Sequence, residues 1–194
     1  MKKLLLTIII VCVSIIKTDS HPHVFIDYSS TFIFNHDQFE GIQVVWIFDE
    51  FFSSSMIHDY DKNNNSVLEN DEVKKIEDEA FSNLKNYNYF CNLTIGKCPF
   101  EVKQVRFFTA SLLRRTRVVY SFFVPVQKKI RREEKILFAI YDRTYFCSIS
   151  INKDGGLAVK GIHPANYCIK VRDNTEKSYY DGSIIPEEIL LKKW

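Results

Sequence analysis

The sequence is poor in the residues that break or loosen a chain. It holds 6 Gly and 5 Pro in 194 residues, which excludes collagen-like and low-complexity architectures. It lacks GxGxxG, a Walker A loop, GxSxG and HExxH. No dinucleotide fold, phosphate cradle, nucleophile elbow or zincin helix is therefore indicated, and an enzyme is not expected. No charge of one sign dominates, since the formal net charge is +2. That excludes the electrostatic footprint of a nucleic-acid binder. The clusters Arg114, Arg115, Arg117 and Lys128, Lys129, Arg131, Arg132 read as solvated strand ends. Beyond one apolar run near the start there is no long hydrophobic stretch, so no transmembrane segment is expected in the mature chain.

That run identifies residues 1–20 as a secretory signal peptide. Lys2 and Lys3 precede the apolar Leu4–Ile16, and Thr18-Asp19-Ser20 places small residues at a cleavage site. Cys12 lies inside the run, so it is no lipidation site. Loss of Lys2, Lys3, Lys17 and Asp19 brings the net charge to zero. Residues 21–194 are read as one β-rich periplasmic domain.

The most informative stretch is Asp61–Glu72, DKNNNSVLENDE. It fits the twelve-residue EF-hand loop, which takes oxygen ligands at positions 1, 3, 5, 7, 9 and 12. The assignment is Asp61, Asn63, Asn65, the Val67 carbonyl, Glu69 and a bidentate Glu72. A register beginning at Asp59 fails, because Ser66 and Asn70 would fall on the aliphatic and bidentate positions. Ser66 replaces the usual Gly at the sixth position, where the chain turns with positive φ, at a cost of about 1 kcal/mol. Three acids with two neutral Asn predict weak calcium binding, of the order of 10⁻⁴–10⁻³ M.

Periodicity supports helices around the loop. Phe48, Phe51, Phe52, Met56 and Tyr60 share one face, as do Val73, Ile76, Ala80 and Leu84, which predicts a helix–loop–helix insertion over 48–86. Asp49 and Glu50 read as helix N-terminal acids. About eight short strands flank the insertion, and the alternate residues Val118, Tyr120, Phe122, Val124 and Val126 are all apolar, so one face must be buried. Glu40-Gly41 marks a bulge, NKDGG at 152–156 a turn, and Pro186–Lys193 a short helix. The expected fold class is α+β: mainly an antiparallel β-sandwich or barrel with the EF-hand-like insertion.

Four cysteines remain after cleavage. Cys91 and Cys98 bracket NLTIGK and are expected to form a disulfide, leaving Cys147 with Cys168 by elimination. Cleavage after Ser20 would expose His21-Pro22-His23. An α-amine and two imidazoles chelate copper, nickel, cobalt or zinc. Pro22 lacks the amide proton that a square-planar amino-terminal site needs, so His21 and His23 are the candidate ligands.

HPHVFID, GIQVVWIFDEFFS, DKNNNSVLENDE, LKNYNYF and YDRTYF, in this order, resemble the bacterial periplasmic family called domain of unknown function 1007. Arg143 stands where that family has Pro, and Ser66 where the loop has Gly. The resemblance implies an accessory, non-enzymatic component of an ABC-type system for nickel, cobalt or zinc, with a membrane metal transporter as partner. The alternative is a copper carrier or copper-dependent oxidative enzyme using a histidine brace. The copper carriers' Asp-x-His pair is missing, because His163 follows Gly161 and Ile162.

Overall fold

The computed structural model describes residues 22–162 and 167–193. The expected signal peptide, His21 and His163 lie outside these residues. The element order is β1 (Val24–Asn35), β2 (Gln38–Phe48), α1 (Glu50–Tyr60), α2 (Asn70–Glu79), a 3-10 segment (Phe81–Phe90), β3 (Cys91–Ile95), β4 (Cys98–Phe100), β5 (Arg106–Leu113), β6 (Arg117–Lys129), β7 (Lys135–Ile140), β8 (Cys147–Ile151), β9 (Leu157–Ile162), β10 (Tyr167–Asp173), a short 3-10 turn (Thr175–Lys177) and β11 (Glu187–Lys193).

Two open sheets form, which fits α+β, and neither closes into a barrel among the described residues. The first runs β5-β6-β2-β1-β8, with β9 also on β1, and the second β10-β11-β7-β3-β4. Alternation explains the first. In β1, Val24, Ile26, Tyr28, Phe32 and Phe34 are buried, and in β6, Val118, Tyr120, Phe122 and Val124 are. Side chains two apart along a strand share a face, so each set forms one apolar surface. The sheets meet where Phe32 of β1 packs edge-on against Phe138 of β7, ring centroids 5.9 Å apart. Fully burying such a side chain contributes roughly 1.5–3 kcal/mol.

The bulge at Gly41 is present, with the β2–β6 register shifting between Phe39 and Gly41. A Cβ there would lie 2.2 Å from the Val124 carbonyl oxygen, so only Gly lets the strands approach.

Most strand pairs are antiparallel, as expected, but β1 pairs in parallel with β8 over Val24–Tyr28 and with β9 over Ser30–Asn35. Other expectations are corrected. The turn at 152–156 exists, but it does not reverse the chain. Asn152 N donates to Tyr28 O at 2.8 Å and Ser30 N to Gly156 O at 2.7 Å. Those bonds close a loop-out, after which the chain resumes its direction along the same edge.

The C-terminal segment is a strand, not a helix. Ile189 and Leu191 alternate into the core at 0% exposure, and β11 lies between β10 and β7. The α-helix ends at Glu79 with Ala80 as its cap, the chain continues as the 3-10 segment, and its backbone leaves helical values at Tyr87, Asn88 and Tyr89.

No disulfide forms. Cys91, Cys98, Cys147 and Cys168 are free thiols. The β3–β4 hairpin places Cys98 opposite Ile95, so Cys91 sits four residues further along its strand, roughly 13 Å away at strand rise. A disulfide needs Cα atoms within about 7 Å. Cys147 and Cys168 belong to different sheets.

Candidate functional site

The helix ends hold the loop 61–72. Asp49 caps α1: its Oδ1 accepts from Phe52 N at 2.9 Å and its Oδ2 from Phe25 N at 2.8 Å. The expected N-terminal acid thus also ties the helix to β1. Ser53 is buried and accepts from Val118 N at 2.9 Å, docking α1 on β6. The helix closes at Asp61, whose N–H donates to Ile57 O at 2.9 Å. α2 opens with a capping box. Glu72 reaches back to Glu69 N at 3.1 Å, which satisfies an orphan donor of the first turn.

Between the helices the polar side chains turn inward. Asp61 is 2% exposed and Glu72 8%. Asp61 Oδ1 accepts from Asn65 N at 3.2 Å and Oδ2 from Ser66 N at 2.9 Å. Asn63 Oδ1 accepts from Asn65 N at 3.0 Å, and Asn65 Oδ1 from Val67 N at 2.8 Å. Glu72 Oε1 accepts from Lys62 N at 2.8 Å, so this one carboxylate joins both ends of the loop. Ser66 has φ 62 and Asn64 φ 56, the left-handed conformation expected at the sixth position.

Glu69 departs from this matching. Its Oε1 accepts from the Asn65 and Asn63 amides, and its side chain faces the Glu72 N–H in the capping box, while its buried Oε2 has no hydrogen bond of ordinary geometry. The Asn65 amide, with Glu72 and Asn63 behind it, holds the Glu69 carboxyl below its ordinary value. A buried carboxylate oxygen without a donor is rare. This orphan, the inward Asn oxygens and the buried Asp61 together fit a hard cation, which takes oxygen ligands. Asp61, Asn63, Asn65, the Val67 carbonyl, Glu69 and Glu72 would hold it. Among the described residues no three His, Cys, Asp or Glu side chains gather into a metal-holding group. The three acids here engage backbone N–H groups and Asn amides.

The amino-terminal candidates lie apart. His21 is outside the described residues. His23 is exposed; its N–H donates to Phe146 O at 2.9 Å and its ring lies 5.0 Å from that of Phe146.

A buried acid lies close to the amino-terminal strand. Asp142, 4% exposed, sits within YDRTYF. Its Oδ1 accepts from Thr144 N at 2.9 Å and Thr144 Oγ1 at 2.8 Å, and its Oδ2 from Cys147 N at 3.1 Å. An Asp two residues before a Thr is the available signal, since Asx-turns bond two residues on.

The profile of the family described as protein of unknown function DUF1007 matches residues 6–182. The chain belongs to this family. A DUF1007-like relative is an uncharacterized 15.5 kDa protein in the trpE 3' region of Spirochaeta aurantia, 32% identical over 68% of this chain and 93% of its own length. An uncharacterized protein of Haemophilus influenzae is 26% identical over 68% of this chain and 63% of its own. No solved structure matches. No described helix is long and apolar enough to cross a membrane.

Proposed function

We propose that this DUF1007 protein is an exported, periplasmic, non-enzymatic metal-binding accessory protein, serving a nickel, cobalt or zinc transporter in the membrane, and that Asp61–Glu72 is an EF-hand-like calcium clip. The observation that carries the calcium reading is the buried, partnerless Glu69 Oε2. A cation would give that oxygen its missing counterpart. The clip is structural: it fastens α1 to α2, and Glu72 already bridges the loop ends. The transition metal is cargo. His21 with its freed amine and His23 would hold it, so loading would follow cleavage. Ligation needs neutral imidazole, so binding would fall as pH drops below about 6.5.

Thermal unfolding with and without calcium tests the clip. At 10 mM calcium and a Kd of about 10⁻⁴–10⁻³ M, the gain is about 1.4–2.7 kcal/mol, and Glu72→Gln removes most of it. An equal response from both proteins would refute the calcium reading. The cargo reading is tested separately, by titrating zinc and nickel into the processed protein and one with a residue added before His21. Equal affinities would show that the amine is no ligand.

A further inference from the structure

A second feature stands apart from both metal readings. A groove of about 610 Å³ lies over the outer face of the second sheet, where β10 and β11 meet the loop ahead of β7. Alternation builds it. Leu191 is in the core and Ile169 packs against it. Cys168 and Lys170 on β10, and Leu190 and Lys192 on β11, therefore project to the other side, where they line the groove. Register sets their order. Cys168 lies opposite Lys192 and Lys170 opposite Leu190, while Lys192 faces Lys135 of β7 on its other flank. Arg132, which the sequence presents as a solvated strand end, lines the groove from the loop.

The charges here are unmatched. In the next row of the same face, Glu188 neutralises Arg172, and Lys177 beside it. Among the described residues no carboxylate pairs with Arg132, Lys135, Lys170 or Lys192. Lys193 also lines the groove, but Asp37 holds its ammonium. Glu133, exposed on the rim, is the one acid among the described lining residues. Like charges directly opposite one another, as at Lys192 and Lys135, destabilise a sheet. Diagonal neighbours such as Lys170 and Lys192 stand about 7–8 Å apart, within reach of one multiply charged ion. A cleft lined by one sign of charge focuses the field and raises the local concentration of counter-ions. Half-buried Leu190 gives the groove an apolar floor, and its volume lies within the small-ligand range of about 300–1,000 Å³.

We propose that this groove binds a small oxyanion carrying several negative charges, of the polyphosphate or phosphate-ester class, and that Lys170, Lys192 and Arg132 hold it. A lysine meets a phosphate as a point charge, and the arginine fork adds paired hydrogen bonds. The recessed shape favours a free solute over a bilayer, which presents a plane.

The experiment uses the full chain in calcium-free buffer, so that the loop at 61–72 takes no part. Sodium tripolyphosphate and inorganic phosphate are titrated by calorimetry at low and at physiological salt. Tripolyphosphate binds saturably at one site, about tenfold tighter than phosphate, and weakens as salt rises. Lys170→Glu combined with Lys192→Glu weakens it by about tenfold or more. Both side chains are exposed, and parting like charges leaves the anion-free melting temperature unchanged or higher, which shows that the variant folds. Arg114→Glu combined with Arg115→Glu changes the net charge equally at the β5–β6 turn and binds like the parent. The proposal is overturned if tripolyphosphate does not saturate, if phosphate binds as tightly, or if the two double variants lose affinity equally. It is also overturned if phosphatidylglycerol vesicles retain the protein and tripolyphosphate does not compete, which would make the groove a membrane contact.

Discussion

The turn at Asp142 and the loop at Asp61 are built alike and end differently. In both, a buried aspartate gathers backbone N–H groups from the next few residues. Around Asp142 the donors are local and sufficient, because the Thr144 hydroxyl adds to two amides. Around Asp61 the acceptors outnumber the donors. Two Asn oxygens, two glutamates and Asp61 face a handful of amides, and Glu69 Oε2 is left over. The calcium proposal rests on that surplus; at Asp142, where donors match acceptors, the acid is a rivet.

The largest effect should come from breaking the rivet. Asp142→Ala strands the buried Cys147 N–H, together with the amide and hydroxyl of the exposed Thr144, and is expected to cost about 2–3 kcal/mol in urea unfolding, unaltered by calcium. A calcium-dependent loss would erase the distinction between the two turns.

Next comes Glu188, another buried acid, whose carboxylate meets Arg172 Nη2 at 2.6 Å and Asn174 Nδ2 at 2.9 Å. Burial alone would raise its pKa, but Arg172, Asn174 and Lys177 more than reverse this, so the folded value lies below the ordinary one. Its contribution is therefore present above the ordinary carboxylate range and lost as pH falls through the folded value. Glu188→Gln should cost about 2 kcal/mol at pH 7 and flatten the acid limb of the stability curve. An unchanged acid limb would show that other carboxylates govern it.

Ser66→Gly removes a side chain from φ 62 and should stabilise by up to about 1 kcal/mol while tightening calcium binding, read by melting and calorimetry. The smallest effect is expected at the surplus itself. Glu69→Gln should leave the metal-free melting temperature unchanged or higher, yet remove most of the calcium-induced rise. A protein destabilised without metal would make Glu69 another rivet.

What could be read beforehand was local. Alternation located the buried face of β6, and helical spacing located α2; in α1 it holds for Met56, but Phe51, assigned to the same face, is 81% exposed, and Phe48 ends β2 instead. The need for positive φ was visible at Ser66, because a loop of fixed length prescribes it. Tertiary context overrode the rest. Glu187, Glu188, Lys192 and Lys193 favour a helix in isolation, but the slot between β10 and β7 buries Ile189 and Leu191, and that decides for strand. The Cys91–Cys98 expectation failed on register, which fixes which residues face one another across a short hairpin. Parallel pairing of β1 with β8 and β9 has no local signature. Asp142 was invisible as a role because one acid in a loop resembles any other until its donors are known.

The loop-out at Asn152–Gly156 bears on how the chain reaches this state. The free edge of β1 can be covered only by chain that emerges late: Val24 waits for Cys147, and Ser30 for Leu157. Until then an apolar strand near the start carries a row of unsatisfied amides and carbonyls, a template for the wrong neighbour. Closing such distant contacts is slow, because loop entropy must be overcome before pairing compensates. The first sheet is therefore sealed from the far end of the sequence, and a chain interrupted before β8 would be left with an adhesive flank.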